Sequence, residues 1–214
     1  MTVTLRTLAA TAVATLALAG GGLAVAVPAD ADAPAGTFEI DYDASGTSFI
    51  AKPKSTVKLG PAVSKTYISD SGDGTFTGDL ALPPTQSTFK ILGLIPVSAT
   101  VTFVPAAPLS GQISDTLPLR LSATASYYLK LTNVKAAGLP TFQGNSCQTA
   151  APVTIPVATP AGESFDLTNG GDLTGTYTIG KFSNCGLTTG LINLLVPGPN
   201  NTVTFTLSNG RFVG

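Results

Sequence analysis

Leu119-Arg120-Leu121-Ser122-Ala123-Thr124-Ala125-Ser126-Tyr127-Tyr128-Leu129-Lys130-Leu131-Thr132 alternates apolar or small residues with polar ones without a break. Successive side chains of a strand point to opposite faces, so a period of two marks a β-strand with one face buried. Carried back to Leu117, the run would span roughly 45–50 Å at the usual rise. Strands of that length are uncommon, so it is expected to bend or to serve two sheets in turn. The same period appears elsewhere. Phe38, Ile40 and Tyr42 alternate with Glu39, Asp41 and Asp43, and Val203, Phe205 and Leu207 alternate with threonines. Phe76, Leu80 and Leu82 share a face with Asp79 opposite.

Working outward, parts of the chain recur. Gly74-Thr75-Phe76-Thr77 returns as Gly175-Thr176-Tyr177-Thr178, 101 positions later. Ile91 to Pro96 returns at the same offset as Ile192 to Pro197, and Thr100-Val101-Thr102-Phe103 returns as Thr202-Val203-Thr204-Phe205. The last offset is 102, one residue longer, and matches in the same order at nearly one spacing indicate a supersecondary unit used twice. The 16 Pro and 23 Gly interrupt the runs at short intervals, as at Pro83-Pro84, Pro105 to Pro108 and Pro197 to Pro199. Many short strands between turn signals predict an all-β fold, an antiparallel β-sandwich or flattened barrel built from two similar halves. The halves are residues 36–108 and 117–214, packed as one compact unit in preference to two separate domains. Only Thr188 to Leu195 and its counterpart Thr88 to Ile95 are expected to form a turn or two of helix.

Residues 1–31 have the layout of a secretory signal peptide. Arg6 is the only charge before Asp30, Leu8 to Leu18 is apolar, and two A-x-A sites follow, ending at Ala26 and Ala31. Cleavage after Ala31 is expected, giving a product outside the cytoplasm, secreted or associated with the cell wall. The mature chain is expected to carry no transmembrane helix. Cys147 and Cys185, the only two cysteines, are an even pair in an exported chain and predict a disulfide.

Composition closes off several chemistries. There is no histidine, which rules out Ser-His-Asp and Cys-His catalysis and any His-ligated zinc. Charged residues make up 11% of the chain at a net charge of −1, with no basic run of the kind nucleic acid requires, so nucleic acid is not an expected partner. Ser87-Thr88-Phe89-Lys90 and Ser55-Thr56-Val57-Lys58 fit the S-x-x-K pattern of penicillin-binding enzymes, but the companion motifs are missing. Glu39 and Glu163 are the only glutamates, and no spacing sets a carboxylate pair across a cleft. No enzymatic activity and no cofactor is expected.

Two site candidates remain. Asp70, Asp73 and Asp79 lie in a Gly-rich stretch that could offer hard oxygen ligands to calcium, although the EF-hand spacing is not met and a hairpin turn explains the same residues. Phe89, Ile91, Leu94, Leu191 and Leu194 lie in the two apolar stretches ahead of the matched strands. They read either as core or as contacts for an apolar ligand.

The segments Tyr127-Tyr128-Leu129-Lys130-Leu131, Asn145-Ser146-Cys147, Ser183-Asn184-Cys185-Gly186 and Pro197 to Thr202 resemble small secreted all-β proteins of actinobacteria, a group with no assigned function. That resemblance implies export and a β fold. The function expected from the whole is structural, adhesive or wall-associated work at the cell surface, with a cell-wall or surface component as partner. The alternatives are a carrier of an apolar ligand or lipid held between sheets, and a pore subunit of an outer envelope.

Overall fold

The computed structural model describes residues 33–91, 94–141 and 144–213. The expected targeting segment, residues 1–31, lies outside them. The strands are β1 (Thr37–Ile50), β2 (Ser55–Ser69), β3 (Thr75–Leu80), β4 (Thr85–Ile91), β5 (Ile95–Ile113), β6 (Leu121–Ala136), β7 (Leu139–Pro140), β8 (Gln148–Thr149), β9 (Val153–Ala158), β10 (Gly170–Ile179), β11 (Phe182–Ser183) and β12 (Gly198–Val213). A 3-10 turn (Gly186–Thr188) leads into the helix α1 (Thr189–Leu195).

All pairings are antiparallel, and they form one closed circuit. Its order is β6-β9-β10-β12-β1-β2-β3-β5, and β5 returns to β6 along a ladder from Val97↔Ala136 to Ile113↔Leu121. The protein is therefore an eight-stranded barrel with accessory strands. Eight strands leave an interior just wide enough for side chains, or for one small ligand.

The alternation read from the sequence explains which face is which. Ile40, Tyr42 and Ala44 of β1, Leu121, Ala123, Tyr127, Leu129 and Leu131 of β6, and Val203, Phe205 and Leu207 of β12 are buried. Their neighbours Thr202, Thr204 and Thr206 face solvent, as do Thr174 and Thr176 of β10. A transmembrane barrel is apolar on the outside. This one is apolar within and rich in threonine without, the reverse of that arrangement.

The long run at Leu117 does not begin as a strand. Pro118 lies in the turn between β5 and β6, and β6 starts at Leu121. It stays in one sheet, but its second edge takes three partners in turn: β9 at Ser122–Tyr127, β8 at Lys130 and β7 at Lys135–Ala136. Near its end Asn133 takes a positive φ of 52°, and the register with β5 shifts there. One extra residue on β6 flips the alternation, so Val134 faces inward after the odd-numbered series ends at Leu131. At Gly111 of β5 the neighbouring strand and the Phe76 ring come so close that a Cβ would collide with both the Ser122 carbonyl and that ring.

The matched segments do not take equivalent places. β10 pairs with β12 through Thr176↔Thr202, whereas β3 pairs with β5 through Thr75↔Gln112, and Thr100 of β5 lies against β4 and β6. The helix expected at Thr188 to Leu195 is present as α1, but its counterpart is the strand β4. The difference is one of partners. Thr85–Ile91 finds an open edge of β5 beyond the end of β3 and pairs there from Thr85↔Val101 to Ile91↔Ile95. Residues 189–195 coil instead, and meet the free edge of β11 through the Asn193 side chain.

Candidate functional site

The two ends of the barrel are closed differently. At the end where β1 starts, Phe165 is buried against Tyr42, with ring centroids 5.7 Å apart, and the Tyr42 hydroxyl donates to the Leu167 carbonyl at 2.9 Å. Burial, and secondarily the Asp166 charge, pushes the Tyr42 phenol up to about 12. Arg120 braces the loop that carries Phe165 by donating to the carbonyls of Thr159, Pro160 and Glu163. This end is a plug of rings and hydrogen bonds.

At the other end α1 lies over the barrel interior. Asn193 docks it by substituting for a strand neighbour. Its Oδ1 accepts from the Phe182 amide at 2.7 Å, and its Nδ2 donates to the Phe182 carbonyl at 2.9 Å. Thr188 Oγ1 donates to the Cys185 carbonyl at 2.7 Å, and Thr189 Oγ1 to that of Gly186 at 2.8 Å, so the entry into the helix is held by hydroxyls. The predicted disulfide is present, with a Cys147–Cys185 S–S distance of 2.01 Å. Both cysteines are fully buried, and the bond ties the start of the helical segment to the residue before β8.

Between plug and helix runs an interior cavity of ≈150 Å³. Its wall is almost wholly hydrocarbon, including Phe89, Phe103, Leu129 and Val203 from the barrel and Leu191 and Ile192 from α1. Phe103 and Tyr127 meet edge to face with centroids 6.0 Å apart. The few polar groups on the wall are neutral, and several of them are engaged. Tyr127 donates to the Leu80 carbonyl at 2.7 Å, the Ser48 and Tyr177 hydroxyls share a hydrogen bond of 2.8 Å, and Ser55 and Ser87 share one of 3.0 Å. Burial raises the Tyr127 and Tyr177 phenols above their ordinary range, the latter against an opposing Ser48 hydrogen bond. No charge lines this space. An engineered apolar cavity of about this volume stays dry and takes up benzene.

The apolar candidates divide. Phe89 and Leu191, from the two matched stretches, meet on the wall of this one cavity. Leu94 and Leu194 do not join them, being 82% and 66% exposed. Leu94 sits in the β4–β5 turn and Leu194 on the outer side of α1. The Ile91 side chain lies outside the described residues. The rest of the wall is shared among the inward faces of all the barrel strands, with β6 supplying the largest part. The alternation in those strands marks an inward face without saying whether the interior is filled.

The calcium candidates are not gathered. Asp73 Oδ1 accepts from the Thr75 amide at 2.9 Å and the Thr75 hydroxyl at 2.6 Å, which fixes the turn before β3 and lowers its pKa. Asp70 is exposed, and Asp79 lies outward on β3 across from Lys65. Among the described residues no three His, Cys, Asp or Glu side chains converge on a metal position. The turn explanation is the one the hydrogen bonds favour. The two S-x-x-K serines lie on strands, where residues three apart point to opposite faces. Ser55 and Ser87 turn inward to each other, and Lys58 and Lys90 turn out.

No protein-family model matches the chain, and no curated protein matches it. Among the described residues no helix is long and apolar enough to cross a membrane.

Proposed function

We propose that the protein is a non-enzymatic carrier that holds a small apolar group, such as the end of an acyl chain or a hydrocarbon ring, inside its barrel, and that it works outside the cytoplasm. The observation that carries this reading is the uncharged cavity of ≈150 Å³ lined by Phe89, Phe103, Leu129 and Ile192. Its selectivity would be for hydrocarbon, because every polar wall group named above already has a partner and none is charged. The disulfide supports an oxidising compartment, and the layout of residues 1–31 supports export.

The reading is tested by native mass spectrometry of protein from its host, followed by extraction with organic solvent and titration with a medium-chain fatty acid. A bound mass that extraction removes, and saturable uptake of one acid per chain afterwards, is the expected result. A bare mass together with no uptake rejects the carrier.

A second reading, surface or wall association, is favoured by the outer face of β10 and β12. There Thr174, Thr176, Thr202, Thr204 and Thr206 form an exposed threonine sheet. Such a hydroxyl-rich face suits hydrogen bonding to a polysaccharide.

A further inference from the structure

The charges of this barrel are sorted between its ends. At the plugged end, Asp70 and Asp73 lie in the turn after β2, Asp115 in the turn after β5, and Glu163 and Asp166 between β9 and β10. Glu39, Asp41, Asp43, Asp79 and Asp172 occupy the adjoining walls, and the three cations of this half, Lys65, Arg120 and Arg211, lie among them. Arg211 is 2.9 Å from Asp43, and Lys65 is 3.8 Å from Glu39.

The helix-capped end is the reverse. The strand ladder brings together the β1–β2 turn (Ile50↔Ser55), the start of β12 (Phe49↔Thr202), the β4–β5 turn (Ile91↔Ile95) and the end of β6 (Val97↔Ala136). These elements, β4 and the link between β10 and β11 carry Lys52, Lys54, Lys90, Lys135 and Lys181, all exposed. Lys58 and Lys130 follow a little way down the walls. Among the described residues no carboxylate accompanies them in this half.

Exposed hydrocarbon accompanies these lysines, whereas the exposed Phe38, Leu117, Phe212 and Val213 lie at the plugged end among the carboxylates. Leu94, Leu139, Leu187 and Leu194 are each at least 66% exposed, and Ile95 and Leu191 are 45% exposed. They come from the β4–β5 turn, β7, and the 3-10 turn with α1, the segments that surround or cover the cavity. Leu191 belongs to both sets, since it is exposed and also lines the cavity.

Exposed leucines with lysines and no acid are the composition of a surface that rests in the headgroup region of an anionic bilayer. We propose that the helix-capped end docks on an anionic lipid membrane, its leucines entering the interface and its lysines meeting the headgroups, with the acidic end directed away. This names the source and destination of the apolar ligand and in that respect builds on the carrier reading. The docking rests on the surface alone. It puts the wall formed by α1 against lipid, so an acyl chain passing between bilayer and cavity would not have to cross water.

The test is vesicle co-sedimentation of the chain from residue 33 onward, using phosphatidylcholine vesicles with and without phosphatidylglycerol. Binding to the anionic vesicles is expected, weakening as salt is raised. Each lysine brought to an anionic surface strengthens binding about fivefold, so Lys52→Gln/Lys54→Gln/Lys135→Gln should weaken it on the order of 100-fold. Leu94→Ser/Leu194→Ser should weaken binding at constant charge. All five positions are exposed, so melting temperature and fatty-acid uptake in solution should stay as in the parent. Arg211→Gln, at the acidic end, should leave vesicle binding unchanged.

Failure of the parent to bind anionic vesicles, or full binding by the lysine variant, overturns the proposal. So does full binding by the leucine variant, which would mark the end as a site for a soluble anionic polymer. Fatty-acid uptake without vesicle binding sinks the docking and leaves the carrier. Vesicle binding without uptake does the opposite.

Discussion

Ala99→Leu tests whether the barrel interior holds usable space. Ala99 is buried on β5, across from Ser87 of β4, and lines the cavity. Leucine adds three carbons. At about 0.8 kcal/mol for each buried methylene, complete burial without strain adds about 2.4 kcal/mol. Freezing the leucine rotamer removes about 0.5–1 kcal/mol of that, leaving a gain of about 1.5–2 kcal/mol. In a well-packed interior the same substitution costs about 1–3 kcal/mol in displaced neighbours. The sign of the change therefore reports on the cavity. At roughly 2–4 °C per kcal/mol for a domain of this size, the variant should melt about 3–8 °C above the parent by differential scanning calorimetry. Uptake of a medium-chain fatty acid should fall in the same variant, because the added side chain takes the ligand's place. A lowered melting temperature, with ligand uptake retained, would refute the assignment of this space as a binding cavity.

Two further perturbations follow from the geometry. Removing the disulfide by Cys147→Ser/Cys185→Ser opens a loop with a sequence separation of 38, which should cost about 4 kcal/mol on the chain-entropy model, read as a lower urea midpoint. A loss below about 1 kcal/mol would show that the loop is already restrained without the bond. In alkali, the raised phenol of Tyr42 favours the folded state up to the ordinary tyrosine value near 10, and this contribution is lost as pH rises from there to about 12. The melting temperature should hold to about pH 10 and fall above it, less steeply in Tyr42→Phe, with tyrosinate absorbance rising alongside. Tyrosinate forming at Tyr42 near pH 10 without unfolding would contradict its burial.

What the sequence made legible was local. The period of two in Phe38 to Asp43, Leu121 to Thr132 and Thr202 to Leu207 reports which side chains share a face, and those faces are the ones buried except at the start of β1, where Phe38 is exposed and Glu39 buried. The partnership of Cys147 and Cys185 needed only their number, and the helix at Thr189–Leu195 needed only a stretch without alternation. Closure was not legible. Pairing of β5 with β6 and of β12 with both β1 and β10 depends on edges that no single strand announces. The likeness of Ile91–Pro96 to Ile192–Pro197 misled for the same reason, since one stretch pairs along β5 and the other coils against β11. Phe89 and Leu191 were found because they are apolar where loops are expected. The lysine-bearing end was missed because Lys52, Lys90, Lys135 and Lys181 are scattered along the chain and meet only when the strands run up and down.

The last of the described strands in chain order, β12, is inserted between β1 and β10, with pairs running from Glu39↔Val213 to Phe49↔Thr202. Nothing upstream supplies that stave, so the hoop stays open until β12 is in place. Joining the first segment to the last places a large ordering cost ahead of the reward, which slows folding in topologies dominated by distant contacts. Until β12 is seated the edges of β1 and β10 are bare, so the segment that completes the hoop also hides two strand edges that could otherwise pair with another chain.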